Sequence, residues 1–133
     1  MIRSMRVTLF LLLPLLINVP YAAAQDLAEQ FCDRVDRKLS SVGRLECMGV
    51  GLQPSGRHSV NNTPIFYKDY LPEGEPAGKV LLIGGIHGDE YSSVSVVFKW
   101  LTILRSGAGK DYHWRVVPVL NPDGLLRPHG KSI

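Results

Sequence analysis

His87 and Glu90 stand three positions apart at the end of an apolar run that reads Val-Leu-Leu-Ile-Gly-Gly-Ile-His-Gly-Asp-Glu from Val80 to Glu90. An imidazole nitrogen and a carboxylate oxygen are donors that zinc takes in hydrolases. Placed i, i+3 where a helix begins, both side chains turn toward one side of the chain. A catalytic zinc normally needs three protein ligands and a water. The pair therefore predicts part of a metal site, and the rest of the chain must be searched for a third ligand and a general base.

The elements that position the pair follow from apolar patterning. Lys79 to Ile83 is continuously apolar after its first residue and predicts a strand buried on both faces. Beyond Gly84, Gly85 and the His-Gly-Asp-Glu turn, Val94, Val97, Phe98, Leu101 and Leu104 recur at helical spacing. Asp89 and Glu90 at the start and Arg105 near the end suit the helix dipole, and Ser106 to Gly109 ends the helix. A second buried strand is expected from His113 to Leu120, with Asn121-Pro122-Asp123-Gly124 as a tight turn after it. Strand, helix and strand in this order predict parallel neighbours. Ligands in such sheets sit beyond the carboxyl ends of the strands, where both the His87 turn and the Asn121 turn fall.

Upstream, Ile65 to Leu71 predicts another strand. Asp26 to Leu39 carries helical apolar spacing with Asp26 as a candidate cap. Ser40 to Asn62 is rich in Gly, Ser and Asn, so it reads as irregular, with room for a short strand near Leu45 to Val50. Asn61-Asn62-Thr63 fits the glycosylation acceptor pattern. The fold class expected is α/β, a mixed, largely parallel sheet with covering helices.

Arg3 and Arg6 precede the apolar stretch Val7 to Ile17, and Ala22-Ala23-Ala24 precedes Gln25, so Met1 to Ala24 reads as a secretory signal peptide. A membrane anchor is the competing reading. The run falls short of the ~20 residues that cross a bilayer, and Pro14 and Pro20 interrupt it. The expected organisation is a leader over 1–24, a helix and loop segment over 25–55, and the first part of a larger domain over 56–133. The expected compartment is periplasmic or secreted, with no stable membrane anchor after cleavage. Cys32 and Cys47 would then face an oxidising compartment, which favours a disulfide over two buried thiols. Neither forms a CxxC or Cys/His cluster. Removing Arg3 and Arg6 from the fifteen basic residues leaves thirteen against twelve acidic, a net of +1. The basic residues are scattered, with no stripe interleaved with aromatics, so nucleic acid is not an expected partner. Ser106 to Lys110 lacks the glycine spacing of a phosphate loop, and Asp111 stands where the hydroxyl is needed.

The block Leu-Leu-Ile-Gly-Gly-Ile-His-Gly-Asp-Glu, the helix, and the run Arg-Val-Val-Pro-Val-Leu-Asn-Pro-Asp-Gly from Arg115 to Gly124 resemble the first half of an M14 zinc carboxypeptidase domain. The likeness runs from about Gly56 to Leu126 and is greatest to the bacterial murein peptide amidase branch. It implies zinc as cofactor, His87 and Glu90 as its ligands, and the Asn121 turn as a structural landmark. It also implies hydrolysis of a peptide-like amide, in that branch a cell-wall peptide. Gly84 and Gly85 would let the backbone pass close to the metal, and Asp89 would either hold the His87 tautomer or cap the helix. A similar Gly-Gly-x-His-Gly-x-Glu turn occurs in the aspartoacylase and succinylglutamate desuccinylase group, which cleaves acylated amino acids. The Val-Pro-Val-Leu-Asn-Pro-Asp-Gly run favours the peptidase side.

The family pattern continues into an Arg and Asn segment and, much later, a third histidine and a catalytic glutamate. Here the chain reads Leu-Leu-Arg-Pro-His-Gly-Lys-Ser-Ile after Gly124, so none of these is present. His58, His113 and His129 do not occupy the third-ligand position, and Arg127 reads as a solvated tail residue. The expectation is an incomplete or inactive representative of the hydrolase with an uncovered sheet face. A non-catalytic partner protein that keeps half the fold is the reading from another class.

Overall fold

The computed structural model describes residues 19–128. Most of the expected leader, up to residue 18, and His129 lie outside the described residues. The order is α1 (Val19–Lys38), α2 (Arg44–Val50), β1 (Gln53–His58), β2 (Pro64–Tyr70), β3 (Lys79–Ile83), α3 (Tyr91–Arg105), β4 (His113–Val117) and α4 (Pro122–Leu125). No described helix is long and apolar enough to cross a membrane.

The four strands form one sheet in the order β1-β2-β4-β3. β3 and β4 pair in parallel, Lys79 opposite His113 through Ile83 opposite Val117, around the expected strand, helix and strand unit. β2 runs antiparallel to both β4 and β1. The sheet is therefore mixed and mostly antiparallel, which corrects the expectation of a largely parallel one. The reason is that β1 and β2 form a hairpin, and β2 docks on β4 with Asp69 opposite Arg115.

β3 lies at the sheet edge and is covered on one side only. Val80 and Leu82 point inward, whereas Leu81 is 62% and Ile83 36% exposed. The expectation of burial on both faces is thus corrected. α3 covers the inner face with Val94, Val97, Phe98, Leu101 and Leu104, the residues its periodicity selects. α1 adds Phe31, whose ring packs on Phe66 of β2 at 4.7 Å between centroids. One core runs from Ala28 to Leu125, and the boundary expected at residue 55 falls inside β1.

Two further expectations change. α1 starts at Val19 and continues through Ala24 and Gln25, so Asp26 is interior to the helix and does not cap it. Leu45 to Val50 belongs to helix α2, not to a strand. The helix is held by Arg44, which ion-pairs with Glu29 and Asp33 of α1, and by a Cys32–Cys47 disulfide with Cα atoms 5.6 Å apart. Gly51, in the left-handed region at φ 69°, ends it, and β1 begins where an irregular segment was expected.

Candidate metal-ligand pair

The parallel ladder continues beyond the strands as single bonds. Gly84 N–H donates to Val117 O, and the N–H groups of Leu120 and Asn121 donate to the carbonyls of Gly84 and Gly85. This stitches the β3–α3 loop to the chain after β4, so the two expected turns meet. Gly84 and Gly85 serve that stitching and not the metal pair. A Cβ on Gly84 would lie 2.8 Å from Pro118 O and from a Val97 methyl, and one on Gly85 would crowd Val94 and Val119. The close approach at the site belongs to Gly88, where a Cβ would fall 2.2 Å from Gly124 Cα and carbonyl carbon. Backbone touches backbone there, and only glycine at both positions permits it.

Asn121 to Gly124 is a one-turn helix more than a simple turn. The Asn121 side chain accepts from Gly124 N–H at 2.9 Å, and Pro122 occupies the first helical position. Asp123 then accepts from the Ser59 hydroxyl at 2.6 Å and from Asn61 N–H at 2.9 Å, which ties the β1–β2 hairpin tip to the site's second turn. Those two hydrogen bonds hold the Asp123 carboxyl below its ordinary range. The Asp123 tether, the Gly88–Gly124 contact and the cavity at Lys68 described below were not singled out from sequence.

His87 Nδ1 and Glu90 Oε1 lie 3.1 Å apart, and their side chains are 70% and 55% exposed. The hydrogen bond to Glu90, and then its charge, raise the imidazole pKa. Asp89 adds a smaller pull of the same sign. It neither hydrogen-bonds His87 nor caps α3 through its side chain; the cap position is Glu90. A cavity of about 410 Å³ beside the same loop is lined by Gly88, Asp89, Tyr91, Asn121 and Arg127 among others, and neither His87 nor Glu90 lines it. A larger cavity of about 620 Å³, between α1, α2 and β1, contains neither residue of the pair.

The donors fit zinc as far as they go. Two ligands on one tetrahedral ion, each ~2.1 Å from it, lie ~3.4 Å apart, close to the separation seen. Among the described residues, however, no group of three or more His, Cys, Asp or Glu could hold a metal. His58 and His113 do not join the pair. His113 instead faces Asp69, Nε2 to Oδ1 3.6 Å, on the open side of the sheet.

The His and Glu pair thus lies just past the carboxyl end of a strand, backed by a glycine-tight turn. Residues 76–128 match the family described as Succinylglutamate desuccinylase/Aspartoacylase catalytic domain. The chain is also similar to an "Inactive metallocarboxypeptidase ecm14" of Talaromyces marneffei, 30% identical over 95 residues, which cover 62% of this chain and 15% of that protein. The two likenesses meet at the zinc-carboxypeptidase-like superfamily, on part of its domain, and neither reaches the murein amidase branch. The run that favoured the peptidase side lies within the segment matched to the aspartoacylase group.

Proposed function

We propose that this chain carries the metal-binding part of a zinc-dependent hydrolase that cleaves a peptide-like amide. The observation that carries the reading is the 3.1 Å separation of His87 Nδ1 and Glu90 Oε1 just past the carboxyl end of β3. Zinc held there supplies Lewis-acid polarisation of a carbonyl and of its bound water. His87 and Glu90 hold the ion, and the Gly88–Gly124 contact fixes the loop that presents them. The remaining ligand and the general base are not among the described residues. A cell-wall peptide is the proposed substrate, in keeping with the proposed leader and a periplasmic or secreted location.

A second reading, a non-catalytic partner that retains part of the fold, is favoured by the two-donor set and by the word "inactive" in the relative's name. Zinc titration against a chromophoric chelator separates the cases. His87→Ala and Glu90→Ala should each weaken zinc binding by ~100-fold or more. Affinity unchanged in both variants would sink the metal assignment. With zinc bound, turnover of a muropeptide supports the peptidase, turnover of an acylated amino acid supports the aspartoacylase-like enzyme, and turnover of neither supports the partner reading.

A further inference from the structure

The cavity of about 620 Å³ between α1, α2 and β1 is a second concave space, away from the ligand pair. Its size falls within the ~300–1,000 Å³ range of small-molecule sites. The sequence of α1 explains why it is there. The second half of the helix sends Phe31, Val35 and Leu39 into the core, whereas the cavity side of its first half offers only Ala24, Gln25 and Ala28. Two alanines leave a hollow that no side chain of α2 or β1 closes. The Cys32–Cys47 disulfide, Met48 and Leu52 supply most of the apolar wall, and the Met48 thioether can adapt to the shape of a guest.

Lys68 is the one charged residue on this lining. It follows Phe66 by two positions on β2 and so projects from the same, helix-covered face of the sheet, where it is half-buried. Among the described residues its ammonium makes no hydrogen bond or ion pair, only a cation–π contact with Nζ 5.8 Å from the Tyr70 ring centroid. Asp69, its neighbour in the chain, does not neutralise it. That carboxylate points to the opposite face, where Arg115 holds both of its oxygens. Gln25 and Gln53 are the remaining polar side chains on the lining.

We propose that this cavity binds a fatty-acid-like molecule, an unbranched apolar chain that ends in a carboxylate. The chain lies against Ala28, Met48 and the disulfide, and the carboxylate meets the Lys68 ammonium, with the amides of Gln25 and Gln53 as further donors on the same lining. A neutral apolar guest would leave the half-buried cation unpaired, and a small anion would leave the apolar walls wet. An occupant with both parts satisfies both demands. The site is independent of the zinc-dependent reading, since neither His87 nor Glu90 belongs to it.

The test titrates the whole chain by calorimetry with decanoate, octanoate, decanol and acetate, each below the concentration at which micelles form. Decanoate should saturate at one molecule per chain, and octanoate, two CH₂ groups shorter, should bind about tenfold more weakly. Decanol, with the same chain and no charge, should also bind about tenfold more weakly, and acetate should not saturate. Lys68→Met should bring decanoate down to the level of decanol and leave decanol unchanged, whereas Lys68→Arg should keep the preference. Ala28→Leu, which fills the hollow, should weaken both ligands about tenfold or more. Its far-UV circular dichroism shows whether it folds, and if it does not, the Lys68 variants decide alone. Leu81→Lys, on the open face of the sheet, should leave binding unchanged. No saturation, equal affinity for decanoate and decanol, a preference that survives Lys68→Met, or loss of binding in Leu81→Lys would each overturn the site. Self-association that Ala28→Leu suppresses, in place of decanoate binding, would assign the hollow to a second copy of the chain and overturn it as well.

Discussion

Asp123 shows how a single side chain near the ligand pair can hold the site together without touching a reacting atom. Its carboxylate accepts from Ser59 and Asn61, and both bonds exist only while the hairpin tip lies against α4. They depress its pKa below the ordinary 3.8, so the stabilisation is present above that value and disappears as the pH falls through the lower folded value. Asp123→Asn should therefore be less stable than the wild type at neutral pH, and the gap should begin to narrow below the ordinary value and close only once the pH has fallen through the depressed folded value, where both side chains are neutral. Denaturant unfolding at neutral and acid pH measures this, and a gap of the same size at both would refute the linkage. The contrast with His87 and Glu90 explains what was legible in the sequence. A pair three residues apart is set by local geometry and can be read directly, whereas the partners of Asp123 lie 62 and 64 positions away. Arg127 was taken for a solvated tail residue for the same reason. Its contact with α1, where Lys38 Nζ donates to its carbonyl at 3.0 Å, is created by the fold and not by its sequence neighbours.

At the scale of elements, patterning succeeded where one face of one segment decides the outcome. β3 and α3 follow from an apolar run and a helical period, and both occur where expected. α2 did not, because seven residues are too few for a period to declare itself, although its interior-facing Cys47 and Val50, three apart, share a face only in a helix. Tertiary bonds make the choice: Arg44 reaches back to α1, and the disulfide fixes Cys47 against Cys32. That link closes a loop of 15 positions and sits in the core, with both cysteines at most 1% exposed. Restricting the unfolded chain over such a loop contributes about 3 kcal/mol. Replacing both cysteines by serine should lower unfolding free energy by at least that much, since two hydroxyls would then be buried without designed partners. A denaturant midpoint showing a loss under ~1 kcal/mol would mean that α2 is held by Arg44 and packing and not by the crosslink.

At the scale of the whole fold, the helices among the described residues all cover one side of the sheet. The expectation of parallel pairing came from one strand, helix and strand unit and could not foresee that β2 would enter beside β4 in the opposite direction, since that pairing joins residues far apart in the chain. The expectation of an uncovered face, in contrast, follows from counting helices against apolar strand positions, and the described residues agree with it. The open face carries a polar ladder in its middle, Asp69 held by two hydrogen bonds from Arg115 at 2.8 and 2.7 Å, with the Arg115 guanidinium 4.9 Å from the Tyr67 ring centroid. Toward the β3 edge it turns apolar, with Leu81, Ile83 and, just past the strand, Ile86 at 52% exposure. An apolar strand edge of this kind binds hydrophobic probes and pairs with other chains. The purified chain should enhance the fluorescence of a hydrophobic dye and associate as its concentration rises. Leu81→Lys should reduce both effects with little change in stability, because that side chain already faces water, whereas Leu82→Lys, on the helix-covered face, should unfold the protein. A monomer that leaves the dye dark at high concentration would show that this face is covered in solution, and the search for what covers it would begin at the β3 edge.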